Sequence, residues 1–421
     1  MNAAARPELL TRFLGRLSGA ERALVAAARQ WAEERAVALY LVGGSVRDLL
    51  LGRLHLDLDL AVEGDAAALA NELARRFAAE VTHHGQFGTA SIQGDGWSLD
   101  LVRTRSERYT APFALPIVEP AGIAADLARR DFSAHAMAVR LDGAAGLLLD
   151  PYHGEADVDR RQLRVLHEAS FRDDPTRLLR LARYAARLAF TVEPETLRLA
   201  RRDAVFIDQL SPARLAHELE RGFAEPLPER MLAALSNLHA LRRIFPALQQ
   251  TEAAAQWFAR LRDDGGGPPG LADYLCALGA GWPRVELQRL GERLELRHDV
   301  LAALRDLPGA VRDLRELAAG GADPVQVVEA LARYELAAVR GAGANCGGSS
   351  AKLVRRYIGE WRLLRPRLRG DDLLALGVPP GPRVGEALRA LTVARLRGKL
   401  PNDAAERSFV RKWLEATGTS G

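Results

Sequence analysis

Apolar and polar positions along the chain follow two regimes. Between residues 37 and 150 the chain reads as short strands, continuous apolar runs at 37–42 and 136–139 (AMAV) and further short strands at 56–62, 81–83, 89–93 and 97–104. Gly94-Asp95-Gly96 reads as the hairpin turn between two of these strands. Helical spacing precedes them at 9–17 and 21–35, and it interrupts them at 66–79, where Leu69, Leu73 and Phe77 make one apolar stripe. Beyond residue 150 the strand signal fades and helical periodicity runs onward. The pattern predicts an α+β chain with a helical lead-in (1–36), a head built on a small mixed sheet (37–150), a helical neck (151–225), a helical body (226–340) and a helical tail (341–421). Glycine-rich stretches at 263–270 and 341–350 read as linkers.

The polar interruptions carry the chemistry. The run at 37–42 breaks at Gly43-Gly44, a short amphipathic helix follows at 46–51, and the next strand holds Asp57 and Asp59. Residues i and i+2 of a strand share a face, so the two carboxylates project together while Leu56, Leu58 and Leu60 face the other way. Such a pair suits Mg2+, which is commonly held by one or two carboxylates plus substrate phosphates. The glycine pair lets backbone N–H groups approach an anion, and the helix after it directs its positive end to the same place. Arg47 adds a guanidinium suited to phosphate oxygens. Asp100, in the strand at 97–104, is the candidate third carboxylate, for metal binding or for activating an attacking hydroxyl.

A second constellation follows the sheet region. Asp173-Asp174-Pro175 opens a helix on which Arg177, Arg180 and Arg183 recur every third residue. Cytosine and adenine both present an exocyclic amine beside a ring-nitrogen acceptor. A carboxylate can accept from the amine while a guanidinium donates to the ring nitrogen; by itself the run reads as a solvated basic face, and it is the family resemblance described next that implies Asp174 and Arg177 as that pair. Uracil and guanine present a carbonyl in place of the amine. An unpaired buried polar group costs roughly 1–3 kcal/mol, enough for ten- to hundredfold discrimination without a nucleic-acid template. Arg180 and Arg183 are expected to face a triphosphate or to steady Asp174.

Taken together these motifs resemble those of the class II tRNA nucleotidyltransferases and the related bacterial poly(A) polymerases. Gly43-Gly44-x-Val46-Arg47-Asp48 followed by Asp57-x-Asp59 is similar to the family's first motif. Residues 129–136, RRDFSAHA, resemble RRDFTxNA, with Ser133 in place of Thr and His135 in place of Asn. Residues 173–183 resemble its ED-x-x-R-x-x-R-x-x-R segment, and 370–398 a looser stretch of its RNA-binding tail. The resemblance implies a polymerase-beta-type nucleotidyltransferase head followed by helical neck, body and tail. It implies Mg2+-dependent transfer of CMP and AMP from CTP and ATP to the 3′ end of tRNA, with release of pyrophosphate. Gly44, Arg47 and Arg130 would hold the triphosphate and ribose. His135 reads as a structural histidine, still able to donate one hydrogen bond and accept another. The stretch 110–128 has no Lys or Arg and reads as a mobile loop; the basic element found there in the family is missing, which fits a CC-adding enzyme as the alternative. Poly(A) polymerases use the same motifs, so that activity is a further alternative.

Composition narrows the remaining possibilities. A chain of 421 residues exceeds one ordinary core. The net charge is +4, with only three lysines among 58 basic residues, a balance compatible with a nucleic-acid partner. Arg395, Arg397, Lys399, Arg411 and Lys412 are candidates for its backbone. No apolar run reaches the roughly 18 residues of a spanning helix and no signal-peptide pattern opens the chain, so a cytoplasmic protein without a membrane partner is expected. Cys276 and Cys346 offer neither a disulfide framework nor metal spacing. Oligomeric state is not encoded in any pattern found.

Overall fold

A computed structural model describes residues 3–53, 57–84, 88–108, 117–247 and 252–418. The chain forms two compact units, Met1–Ser211 with Ala234–Ile244, and Pro212–Ala233 with Phe245–Gly421. The first unit is α+β and the second is built of helices.

An eight-stranded mixed sheet organises the first unit, in the order Ala3–Ala5, Leu147–Leu149, Ala138–Arg140, Leu39–Val42, Leu58–Val62, Trp97–Arg103, Thr89–Gly94 and Glu80–His84. Leu58–Val62 runs parallel to Trp97–Arg103, and every other neighbouring pair is antiparallel. The alternation seen in the sequence explains how the sheet is covered. Leu58, Leu60 and Val62 are buried on one face, while Ala61 on the other joins Tyr40, Val42 and Ala138 in a cluster closed by Ile123 and Leu127. Helices Gly19–Glu34 and Ala66–Phe77 pack on each other, the first against Leu39–Val42 and the second against Thr89–Gly94 and Trp97–Arg103. Their starts are set by side chains: Ser18 and Glu21 form a reciprocal capping box, and Asp65 accepts from the N–H groups of Ala67 and Ala68.

Two expectations need correction here. The lead-in is not wholly helical, because Ala3–Ala5 forms a strand on the sheet edge, paired with Leu147–Leu149; three alanines carry no periodicity, and the pairing partner alone makes them a strand. The stretch 110–128 is not a mobile loop throughout. Ile117–Pro120 pairs with Arg105–Arg108, and helix Ile123–Ala128 buries Ile123, Asp126 and Leu127. Residues 109–116 lie outside the described residues.

In the second unit, the glycines at 341–350 do not form a linker. Helix Leu336–Cys346 packs on Leu271–Gly279 and His298–Gly320. A Cβ on Gly341 would lie 2.3 Å from the Cys276 Cβ, so glycine is what permits the close approach. The loop at 263–270 is likewise internal to this unit, with buried Asp264 bound to Arg340. Near the C-terminus, Gly370–Ala375, Pro382–Leu396 and Asp403–Gly418 enclose a small core of Leu373, Val378, Leu391 and Val410. Arg395, a candidate for RNA backbone, instead donates to the fully buried Glu406 carboxylate at 2.7 Å. Lys399, Arg411 and Lys412 remain exposed.

Candidate active site

Strand register brings three carboxylates together. Asp59 lies opposite Asp100 across the parallel pair, and both point away from the face that buries Leu58, Leu60, Leu99 and Leu101. Asp57 stands exposed just before the strand. Ser45 ties these parts to the glycine turn, donating to the Asp57 carbonyl at 2.6 Å and reaching the Asp59 carboxylate at 3.4 Å. Ser91 donates to the Asp100 carboxylate at 2.6 Å. Burial, then the charges of Asp100 and Asp57, push the Asp59 carboxyl up to about 6, with Arg130 and the Ser45 hydroxyl opposing. Three converging acids with so little compensation fit a divalent cation. Among the described residues no group of three or more His, Cys, Asp or Glu side chains is arranged to hold a metal ion. A cation held by one or two of these carboxylates would need substrate oxygens and water for the rest of its shell.

The glycine turn lies beside these acids. Gly43 has φ +67°, and a Cβ there would come 2.5 Å from Arg130 Nη1, so only glycine allows the guanidinium to lie across the turn. Arg130 is aimed by Asp126, which accepts from its Nε and Nη2, and by the His135 carbonyl, which accepts from Nη1. Asp126 is fully buried and also accepts from Arg129. Burial alone would raise its carboxyl, but Arg130 and Arg129 outweigh it and hold it below the usual range. The sequence signal for Asp126 was its i, i+3 and i, i+4 spacing to those arginines, hidden inside a stretch read as a loop.

Arg47 lies beneath the turn rather than in the open. It is 3% exposed, donates through Nε and Nη2 to Asp48, and through Nη1 to His135 Nε2. Its guanidinium also lies against the glycine turn, where a Cβ on Gly44 would come 3.4 Å from Nη2. His135 Nδ1 in turn meets Asp131 Oδ1 at 2.8 Å, and Asp131 Oδ2 accepts from Arg180 Nε and Nη2 at 2.9 and 2.6 Å. Asp131 would be raised by burial, yet Arg180 and His135 keep it well below the carboxylate range.

Helix Thr176–Leu188 presents the second constellation. Asp174 accepts at one oxygen from both the Thr176 N–H and hydroxyl, at 3.0 and 2.6 Å, and so anchors the helix start. Arg177 is buried, donating to the Ser170 carbonyl and hydroxyl and to the Arg129 carbonyl. Arg183 is buried and stacks over Tyr184 at 4.5 Å, while Arg180 and Arg47 approach the same ring at 5.6 and 5.8 Å. Tyr184 also meets the His135 ring edge-on at 4.4 Å. Sequence reasoning gave Tyr184 no role, because nothing in its spacing shows three guanidinium groups gathering on one ring. Asp57, Asp59, Asp100, Gly44, Arg47, Arg130, Asp174, Arg177, Arg180 and Arg183 all belong to the first compact unit. Contacts through Ser45, His135, Asp131 and Arg129 link the acids and glycine turn to this helix.

Comparison with known proteins gives the chain a family. Residues 39–164 match the poly A polymerase head domain, and 189–252 match the "Probable RNA and SrmB- binding site of polymerase A". The chain is 33% identical over 387 residues to an A-adding tRNA nucleotidyltransferase of Halalkalibacterium halodurans, covering 89% of this chain and 88% of that protein. It is 34% identical over 385 residues to a CC-adding tRNA nucleotidyltransferase of Deinococcus radiodurans, covering 90% of each. Among solved structures, a Thermotoga maritima CCA-adding enzyme complexed with tRNA superposes with a TM-score of 0.73 at 25% identity, covering 98% of this chain and 100% of that one. The chain belongs to the tRNA nucleotidyltransferase family, whose head domain is shared with the poly(A) polymerases.

Proposed function

We propose that the chain adds C and A nucleotides to the 3′ end of tRNA without a nucleic-acid template, using CTP and ATP and releasing pyrophosphate. The observation that carries this reading is the open cluster of Asp57, Asp59 and Asp100 beside Gly43-Gly44 and Arg130, in the same unit as the Asp174 helix. Mg2+ held by Asp57 and Asp59 would supply Lewis-acid stabilisation of charge on the reacting phosphate and its leaving group. Asp100 is placed to accept the proton of the tRNA hydroxyl, or would help Asp57 and Asp59 hold Mg2+ when it is bound. Arg130, braced by Asp126, donates to triphosphate oxygens, and the Gly44 backbone lets them come close. Asp174 and Arg177 read the amine and ring nitrogen of the incoming base, and Arg180 and Arg183 hold their helix in place.

Relatives near one-third identity named for A addition and CC addition favour a second reading, in which the chain makes only part of the CCA end. The test supplies tRNAs ending before CCA, after one C and after CC, with CTP, ATP or both, and resolves products to single nucleotides. Three added residues are expected. A stop after two Cs, or addition of A only to a CC end, selects the second reading, and a long ladder with ATP alone identifies polyadenylation. No extension of any of these ends overturns the proposal.

A further inference from the structure

His135 stands where the family motif carries Asn, and its surroundings give it a defined protonation state. The ring is buried, as are Arg47 and Asp131 on its two sides. Arg47 has only N–H groups to offer, so Nε2, which faces it, must accept. The proton therefore sits on Nδ1 and is donated to Asp131 Oδ1 at 2.8 Å. A charged imidazolium would turn an N–H toward the Arg47 guanidinium, and burial opposes that charge as well, holding the ring below the ordinary histidine value despite Asp131. The ring thus fills a single orientation between two cations that lie on different elements. Arg47 belongs to the helix under the glycine turn, Gly44–Leu50, and Arg180, through Asp131, to helix Thr176–Leu188. Tyr184 packs against the ring and both guanidinium groups.

We propose that His135, as the Nδ1–H tautomer, is a positioning residue that joins the triphosphate turn to the base-reading helix, so that phosphate placement and base choice are set by one rigid bridge. It rests on the nucleotide-selecting role given above to Asp174 and Arg177. A buried network with both ends satisfied is stiff, whereas one cut in the middle leaves a buried donor or acceptor without its partner. Cutting the bridge therefore loosens the helix relative to the phosphate site, and wrong bases gain most from that freedom because the correct base already fits.

Two variants cut opposite halves. The amide of His135→Asn reaches the Nδ1 position and keeps Asp131; that of His135→Gln reaches the Nε2 position and keeps Arg47. With the full chain, kcat and KM are measured for the preferred nucleotide and for UTP on the tRNA end that the wild type extends. Both variants are expected to lower the ratio of the two kcat/KM values about tenfold, with KM for the preferred nucleotide rising more than kcat falls. An unchanged ratio in either folded variant overturns the proposal. A second measurement needs no variant to fold: the 15N spectrum of histidine-labelled wild type at pH 7.5 is expected to show His135 protonated at Nδ1 and bare at Nε2. A proton on Nε2, or on both nitrogens, overturns it. A wild type that adds nothing to tRNA defeats the function proposed above but leaves the tautomer result intact.

Discussion

Two clusters of buried or half-buried charge, one in each unit, differ in whether a guanidinium sits in contact with the acids. In the helical unit, Arg340 is 4% exposed and donates through Nε and Nη2 to Asp264, through Nη2 to the carbonyls of Leu261 and Gly267, and pairs through Nη1 with Asp273 at 3.1 Å. The guanidinium is ringed on every side, and nothing about it invites a ligand. In the sheet unit, Asp57, Asp59 and Asp100 gather with Arg130 as the guanidinium acting on Asp59, and burial first, then the two neighbouring carboxylates, push the Asp59 carboxyl upward. A guanidinium saturated by its acids braces a fold, while a surplus of acids on a half-open face, without a cation in contact, marks where a partner of the opposite sign belongs.

The sharpest way to break this comparison is to remove the surplus. Alanine at Asp57 and Asp59 together is expected to reduce nucleotide incorporation by about a thousandfold or more while leaving tRNA affinity nearly unchanged. Product assays and filter binding check the two halves of that statement. Incorporation that survives the double substitution moves the metal site elsewhere.

Removing the closed charge does the reverse. Arg340→Ala leaves Asp264 and Asp273 buried without their cation, and a loss of about 3–5 kcal/mol is expected in urea unfolding of the helical unit. Gly341→Ala drives a Cβ into the Cys276 backbone and side chain, and is expected to destabilise the same unit by about 1–3 kcal/mol.

Gly43→Ala tests the glycine turn. At φ +67° and ψ −126° Gly43 lies outside even the left-handed helical region, in a conformation that costs a side chain on the order of 1–3 kcal/mol, and Arg130 must give way to the new Cβ. KM for the nucleotide is expected to rise roughly tenfold with the overall fold retained. A wild-type KM in this variant removes Arg130 from the triphosphate site.

The smallest effect is a pH dependence. With its carboxyl raised to about 6, Asp59 binds a proton in the metal-free protein between the ordinary carboxylate value of 3.8 and about 6. The folded state then holds more protons than the unfolded one, so the metal-free protein loses stability as pH rises through that window. A cation displaces this proton and relieves the repulsion. The rise in Tm on adding Mg2+ is therefore expected to be larger at pH 7.5 than at pH 5, by a few degrees. An equal rise at both pH values separates the cation from Asp59.

Much of this was legible in the residues. The apolar run at 39–42 marked a strand buried on both faces, the alternation at 89–94 and 97–103 marked strands covered mainly on one, and the Asp57/Asp59 parity followed from the two-residue strand period. Asp100 could be named as a candidate, but its partnership with Asp59 is a register, and register joins residues 41 positions apart that share no local signal. The 341–350 glycines misled for a physical reason: glycine loosens a chain in water and tightens a helix contact when buried, and composition is the same in both cases. Arg395 misled likewise, since an arginine that binds RNA and one that neutralises a buried glutamate have the same side chain and a similar helical position.

Local pattern by itself determined the central strands of the sheet, the paired acids on one strand face, the glycine turn before them and the arginine-bearing helix after the sheet. Those properties depend on neighbours a few residues away and on backbone geometry with periods of two and 3.6. Only the tertiary structure decided that Ala3–Ala5 closes the sheet edge, that Arg47 braces the turn from beneath, and that His135 joins it to Asp131 and Arg180. Each of these is a contact across a long loop, and its sign and partner depend on which distant group burial brings within hydrogen-bond reach.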